Sequence, residues 1–332
     1  MKTMKWLLQR EFWEHKGSMF WAPIVVGAAM VMFVGTMVAY GLSSGKMHFN
    51  ENVTRVDGKI VSHTHGQTLS AAYNAMPANE RQQIVDGIAS GYLATSAPLF
   101  LMLSVVVFFY CLGALYDERR DRSILFWKSL PVSDQMTVLS KVLTAVIVAP
   151  VVTIAVATFT SVLLLLIGGT VLAFNGINLF GEVLSSSAIY LAPLQIFGLL
   201  PVYIMWALPT VGYLLMVSAW ARSKVFLWAV GVPLIIIVVV SWVQYLFGMR
   251  LDTEWFAQHV LARGLTGLLP GVWLPMQSVD VNLMTQSNVV SLGGVFTQSW
   301  KTMASPHAWG GAIVGIAMIF AAMRLRRWKD EG

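Results

Sequence analysis

Six long windows of this chain carry no Asp, Glu, Lys, Arg or His: residues 17–45, 87–116, 142–181, 183–221, 225–249 and 308–323. Nothing else in the sequence limits the fold so severely. In hydrocarbon a chain segment must satisfy its own backbone, and a spanning helix needs roughly 20 mostly apolar residues to do so. The windows predict transmembrane helices at 20–41, 94–116, 142–168, 188–219, 226–247 and 306–323, the last being the shortest. Composition agrees, with 57% hydrophobic and only 11% charged residues and a mean hydropathy of +0.68. Soluble domains carry about 25% charge. The expected fold class is an all-α polytopic membrane protein with six transmembrane helices. The first span is too long for the apolar core of a cleaved signal peptide, and the residues before it mix acids with bases.

The net charge of +6 reads as a topology signal rather than as a nucleic-acid surface. Six spans put both termini on one side. Of the 22 Lys and Arg, the other side holds only Lys46, Arg55, Lys59, Arg81, Arg250, Arg263 and Lys301, although its loops are longer. Short Lys/Arg-rich loops stay in the cytoplasm, so the N and C termini are expected to be cytoplasmic, with no nucleic-acid partner.

The segments between spans divide accordingly. Residues 1–19 form an amphipathic interfacial helix, with Met1, Met4, Leu8 and Phe12 on one face, Glu11 interrupting it, and Trp6 and Trp13 placed for the headgroup level. It anchors on the membrane surface or meets a cytosolic partner. Two extracytoplasmic segments are long enough to fold. In residues 42–93 a short amphipathic helix follows Pro77, carrying Ile84, Val85 and Ile88. In residues 248–305, Asp252 is a candidate N-cap, and Phe256, Val260 and Leu261 form a stripe that suits a helix resting on the outer leaflet or on a partner subunit. "QSNVVSLGGVF" reads as turns with a short strand.

Several motifs fail. "GLSSGKM" at 41–47 has one residue too few between its glycines for a phosphate-binding loop, and Met47 where a Ser or Thr must hold magnesium. His48, His63 and His65 lack a nearby cysteine or well-placed carboxylate, so neither a metal site nor a catalytic centre is expected. The single cysteine, Cys111, lies within a span. No ionisable residue lies well inside any predicted span, whereas ion-coupled carriers keep such groups at mid-membrane. Any work against a gradient must draw its energy from elsewhere. Two features of the spans have both a packing and a pathway reading. The fourth holds Pro193, Pro201 and Pro209, spaced to kink it, and Gln195, one of the most polar large side chains in any span. The sixth has Gly311 and Gly315 at the spacing that lets helices approach closely.

The largest internal feature on the terminal side is the charged knuckle 117–141, "DERRDRSILFWKSLPVSDQMTVLSK". Ile124, Leu125, Phe126, Trp127 and Leu130 form an apolar ridge among Arg119, Arg120, Arg122 and Lys128; Pro131 ends it, and Ser133 or Asp134 can cap the next helix. Such a ridge suits docking into a groove on a soluble partner, or insertion among anionic lipid headgroups.

This stretch resembles the membrane subunits of type-2 ABC exporters. Their signature joins an acidic-basic cluster after the second span, a Ser/Thr-hydrophobic-Leu step, a Leu-Pro-Val/Ile-Ser turn and a lysine opening the third span. Glu118, Arg119, Ser123, Leu125, Leu130, Pro131, Ser133 and Lys141 match it, and Arg122 departs from the glycine common at its position. The resemblance implies a permease of the bacterial cytoplasmic membrane with no cofactor of its own. It would work among membrane lipids with a second copy or a sister permease and two cytosolic ATPase subunits that hold ATP and magnesium. The coupling residues it implies are Glu118, Arg119, Arg120, Leu125, Phe126, Trp127, Leu130 and Pro131. The alternative is a non-transporting sensor or scaffold whose outer loops bind a partner.

Overall fold

The computed structural model describes residues 2–43, 55–56, 59–60, 73, 75–121, 132–174, 176–247, 257–277, 279, 285–286 and 289–329. His48, His63, His65, Asp252, Phe256 and the knuckle residues Arg122 to Pro131 lie outside these. Among the described residues six helices are long and apolar enough to cross a membrane: Gly17–Gly41, Ala78–Arg120, Asp134–Phe174, Ser187–Trp220, Leu227–Phe247 and Pro306–Trp328. They are called the first to sixth spans below. The chain is a multi-pass helical membrane protein. Its strand content among the described residues is two antiparallel pairs, Arg55–Val56 with Lys59–Ile60 and Thr285–Gln286 with Val289–Val290.

The helices overrun the apolar windows because their polar ends satisfy other needs. The third span starts at Asp134, where the Ser133 hydroxyl accepts the Met136 amide at 3.3 Å and caps the helix. Its 41 residues make it about 60 Å long, twice the apolar thickness of a bilayer. The second span begins in the amphipathic helix Ala78–Gly91, with Pro77 before it and Val85 and Ala89 fully buried. Ile84, read from sequence as part of the buried face, is 38% exposed.

The core is built on the fourth span, whose buried residues from Val202 to Ala219 pack against the second, third and sixth spans. The tightest crossing is between the fourth and sixth. A Cβ on Gly315 would lie 2.5 Å from the Leu208 carbonyl carbon and 2.7 Å from the Pro209 nitrogen, and one on Gly212 would meet the Gly315 carbonyl. Of the two glycines predicted to permit close approach, Gly315 does so, with Gly212 opposite it, while Gly311 faces the Arg263 guanidinium rather than a helix.

The three prolines of the fourth span behave differently. Pro193 and Pro209 sit inside continuous helix, while the helix breaks at Leu199, between Ser187–Gly198 and Leu200–Trp220. Pro201 falls in the first turn of the second piece, where its missing N–H is no loss. Gly198 lets the Phe296 ring lie against the break.

Of the stripe read in this region, Phe256 and the Val260 side chain lie outside the described residues, and the chain that follows it packs inward. Arg263, Leu268 and Trp273 are buried, and the latter two belong to the same core as the spans. Gly267 makes this possible: a Cβ there would lie 2.6 Å from both the Trp206 carbonyl and the Thr210 hydroxyl. Thr210 in turn donates to the Arg263 carbonyl at 3.0 Å. The "LGGVF" stretch, expected as turn, opens the helix Leu292–Thr302, capped by the Ser291 hydroxyl on the Gly294 amide.

Candidate functional site

Where the knuckle leaves the second span, the chain turns at Ala114–Leu115 and resumes as the short helix Tyr116–Arg120. Both amides freed by the turn, Leu115 and Tyr116, donate to one acceptor, the fully buried Ser218 hydroxyl of the fourth span, at 3.1 and 3.0 Å. Arg119 reaches the same place from the other direction. Its Nη2 donates to the carbonyls of Ser218 (2.5 Å) and Ala221 (3.0 Å), at the end of the fourth span. A guanidinium on the last carbonyls of a helix satisfies orphan acceptors and meets the negative end of its dipole.

Glu118, one residue earlier, turns inward into a cluster of charge. Lys141 Nζ lies 3.0 Å from Glu118 and 3.0 Å from Glu11; Arg326 bridges Glu118 (2.9 Å) and Asp134 (3.1 Å); Arg10 approaches Glu118 at 3.7 Å. The Tyr110 hydroxyl donates to Glu11 at 2.9 Å. Glu11 is 0%, Lys141 2%, Arg326 3% and Glu118 7% exposed, so these are internal charges rather than surface ion pairs. Lys141 and Arg326, with Arg10 shared between Glu14 at 3.3 Å and Glu118, face Glu11, Glu118 and Asp134; an unmatched ion there would cost several kcal/mol. The cluster joins four pieces of chain far apart in sequence: the N-terminal helix Lys2–Glu14, the root of the knuckle, the head of the third span and the tail of the sixth.

The N-terminal helix is held on one side by protein contacts. Leu7 and Glu11 are its most buried residues, at 1% and 0% exposure, while Trp6 and Trp13 are exposed. Glu11 does not interrupt the packed face; it is the centre of it. Burial alone would raise its pKa, but the Lys141 charge, hydrogen bonds from Lys141 and Tyr110, and the Arg10 charge outweigh burial and hold it below the ordinary carboxylate value. A carboxylate with a lower pKa folded than unfolded stabilises the fold above its ordinary pKa of about 4.3 and loses that contribution as pH falls through the folded value. Amide exchange in residues 2–14 is thus expected to stay slow at neutral pH and rise below about pH 4. Glu11→Gln should flatten that dependence; a helix released instead by rising pH would contradict it.

Of the coupling residues expected from sequence, Glu118 and Arg119 point inward and anchor the knuckle, and Arg120 is exposed. Leu125, Phe126, Trp127, Leu130 and Pro131 lie outside the described residues. Sequence reasoning missed Arg10, Glu11 and Arg326 as members of the cluster.

The other expected feature, the irregular fourth span, borders a cavity of about 330 Å³. Leu199, Leu200 and Tyr203 line it from the break, facing Phe100, Pro150 and Trp273. Pro201 is exposed and does not line this cavity, and Pro209 is buried at the glycine crossing. Pro193 and Gln195 are half-buried in the first half of the span, Gln195 facing Gly293. A larger apolar cleft of about 1020 Å³ opens between the amphipathic helix at the start of the second span, the far end of the third span, and the helix Phe180–Ser185. Among the described residues no group of His, Cys, Asp and Glu could hold a metal ion.

Comparison of the chain with protein-family models, with curated proteins and with solved structures finds no match.

Proposed function

We propose that this chain is the permease subunit of an ATP-driven exporter of the type-2 ABC kind, acting in the bacterial cytoplasmic membrane with its termini inside. Two permease copies, or this chain and a sister permease, form the pathway, and two separate ATPase subunits bind beneath. The observation that carries the reading is the fastening of the knuckle's root. Glu118 and Arg119, adjacent in sequence, connect it to the N-terminal helix and to the third, fourth and sixth spans. A push on the ridge at 124–130 would reach four elements through ionic contacts and not through a loose loop. A knuckle that only dipped into lipid would need no such fastening. The cavity at the break of the fourth span supplies a place where that motion could act on a cargo.

The test begins with purification from native membranes, where a protein with a complete P-loop should travel with the chain. In the reconstituted complex, Trp127→Glu is expected to abolish cargo-stimulated ATP hydrolysis while membrane insertion is unchanged, since a buried carboxylate in an apolar groove costs several kcal/mol. Unaltered stimulation, or the absence of any ATPase partner, would favour a sensor or scaffold instead.

A further inference from the structure

The cleft of about 1020 Å³ lies at the end of the bundle away from the charge cluster, and it is apolar at a level where hydrocarbon no longer covers it. The helix from Lys141 to Ser161 is about 30 Å long, the thickness of the hydrocarbon layer, and Leu172 lies about 15 Å beyond. On the second span the residues that line the cleft, Met76 to Thr95, all precede the uncharged helix Ala97–Gly113. The Thr95 hydroxyl lies 3.3 Å from that of Ser161, so the two counts meet at one level, the edge of the apolar layer. Above it, the two short helices that flank the cleft carry three exposed acids, Glu80, Asp86 and Glu182. Ionised groups avoid hydrocarbon, so the mouth stands in water.

The walls do not match that setting. Ile84, Leu165, Leu172, Phe180 and Leu184 line the cleft, and Ile84 and Leu184 are exposed. Gly169 seats the Phe180 ring, which a Cβ there would approach to 2.7 Å. Apolar surface of this extent in contact with water favours whatever apolar group can cover it. The cover this sequence itself offers is poor, because residues 44–54 and 61–72 are mostly polar.

Charge at the mouth narrows the choice. Arg81, the base in this group, is committed: its Nε donates to the Met76 carbonyl at 3.1 Å and its guanidinium stands over the Tyr73 ring. Glu182 and Asp86 accept from the neutral hydroxyls of Tyr73 and Ser186, at 2.8 and 3.1 Å. Glu80, part of the cleft's own lining, enters no ion pair among the described residues.

We infer that this cleft takes the alkyl chain of a cationic amphiphile, the chain lying along Leu165, Leu172 and Phe180 and the ammonium end resting by Glu80. A chain that moves from the adjoining leaflet into the cleft leaves the membrane with its apolar surface still covered, and it dries the walls. An anionic head would meet three carboxylates at the mouth. The site stands apart from the cavity at the break of the fourth span and needs only the bundle and a bilayer, not the transport reading.

The experiment uses the full chain in nanodiscs of the uncharged lipid digalactosyldiacylglycerol, with diazirine-bearing hexadecylamine or hexadecanoic acid as probe and adducts mapped by mass spectrometry. Labelling of the exposed fifth span measures each probe's concentration in the bilayer and is the reference. Amine adducts at 84–95, 161–172 and 179–189 are expected to saturate, while those on the fifth span rise in proportion to probe. Relative to that reference the acid should label the cleft up to about fivefold less at low salt, the range of a solvent-exposed ion pair. Glu80→Gln should bring the two probes together. Gly168→Leu should abolish the saturable labelling, since Gly168 lines the cleft and a Cβ there meets no atom within 4 Å. Cleft labelling that never saturates, or equal labelling by amine and acid in the unaltered protein, overturns the inference, and both readouts stand even if a variant fails to fold. An absence of cleft adducts also overturns it, and means that residues 44–72 or a second copy cover the walls.

Discussion

Lys141→Met is expected to cost roughly 3–5 kcal/mol of stability, among the largest effects of any single change in the chain. The size follows from what the ammonium group does. Among the described residues it is the cation that lies 3.0 Å from Glu11 and, with Arg326, one of two that close on Glu118 to within 3.0 Å. Methionine fills nearly the same volume, so packing is conserved and the loss is electrostatic. Glu11 would keep the Tyr110 hydroxyl and the weaker influence of the Arg10 charge, and a carboxylate at 0% exposure cannot recover its hydration without opening the contact between the N-terminal helix and the third span. Denaturant titration of the detergent-solubilised protein, followed by helical signal, measures the cost. Adding Glu11→Gln to Lys141→Met should recover part of it, because the neutral amide removes the stranded charge. A single-variant loss below about 0.5 kcal/mol, the range of ordinary surface substitutions, would mean the cluster is hydrated and holds nothing together.

What sequence could reveal here divides along a physical line. The six spans were legible because hydrocarbon imposes a local rule, a long run without charge, and each predicted window lies within or nearly coincides with a helix. The Ser133 cap was legible for the same reason: a cap is satisfied within three residues. Glu11 was not. A lone acid on an apolar face reads as a flaw in the face, because the lysine that justifies it lies 130 positions away. Arg326 was hidden in a basic tail that already had an explanation as a topology signal. The prolines show the limit from another side. Three prolines at equal spacing give equal local cause to bend, yet the helix breaks only near Pro201, where Gly198 admits the Phe296 ring. The burial of Leu268 and Trp273 depends on Gly267 and Thr210, and neither shows its partner in sequence.

Arg119→Met should separate binding of the motor from delivery of its motion. The side chain ties the root of the knuckle to the fourth span through two carbonyls at the end of that helix, and it is not one of the ridge residues proposed to meet the ATPase. Hydrogen bonds to a charged group contribute about 1.5–3 kcal/mol, so their loss shifts the balance between a fastened and a detached knuckle roughly 10- to 150-fold. Ser218 still holds the Leu115 and Tyr116 amides, which keeps the turn itself formed. Glu118 still fastens the knuckle to the third and sixth spans. In proteoliposomes the variant should therefore co-purify with its ATPase and hydrolyse ATP at near the normal basal rate, while cargo movement per ATP falls by about the factor by which the fastened state is depopulated. Simultaneous loss of hydrolysis and transport would place Arg119 in the docking surface itself, and unchanged transport would mean that the fourth span is not moved through the knuckle.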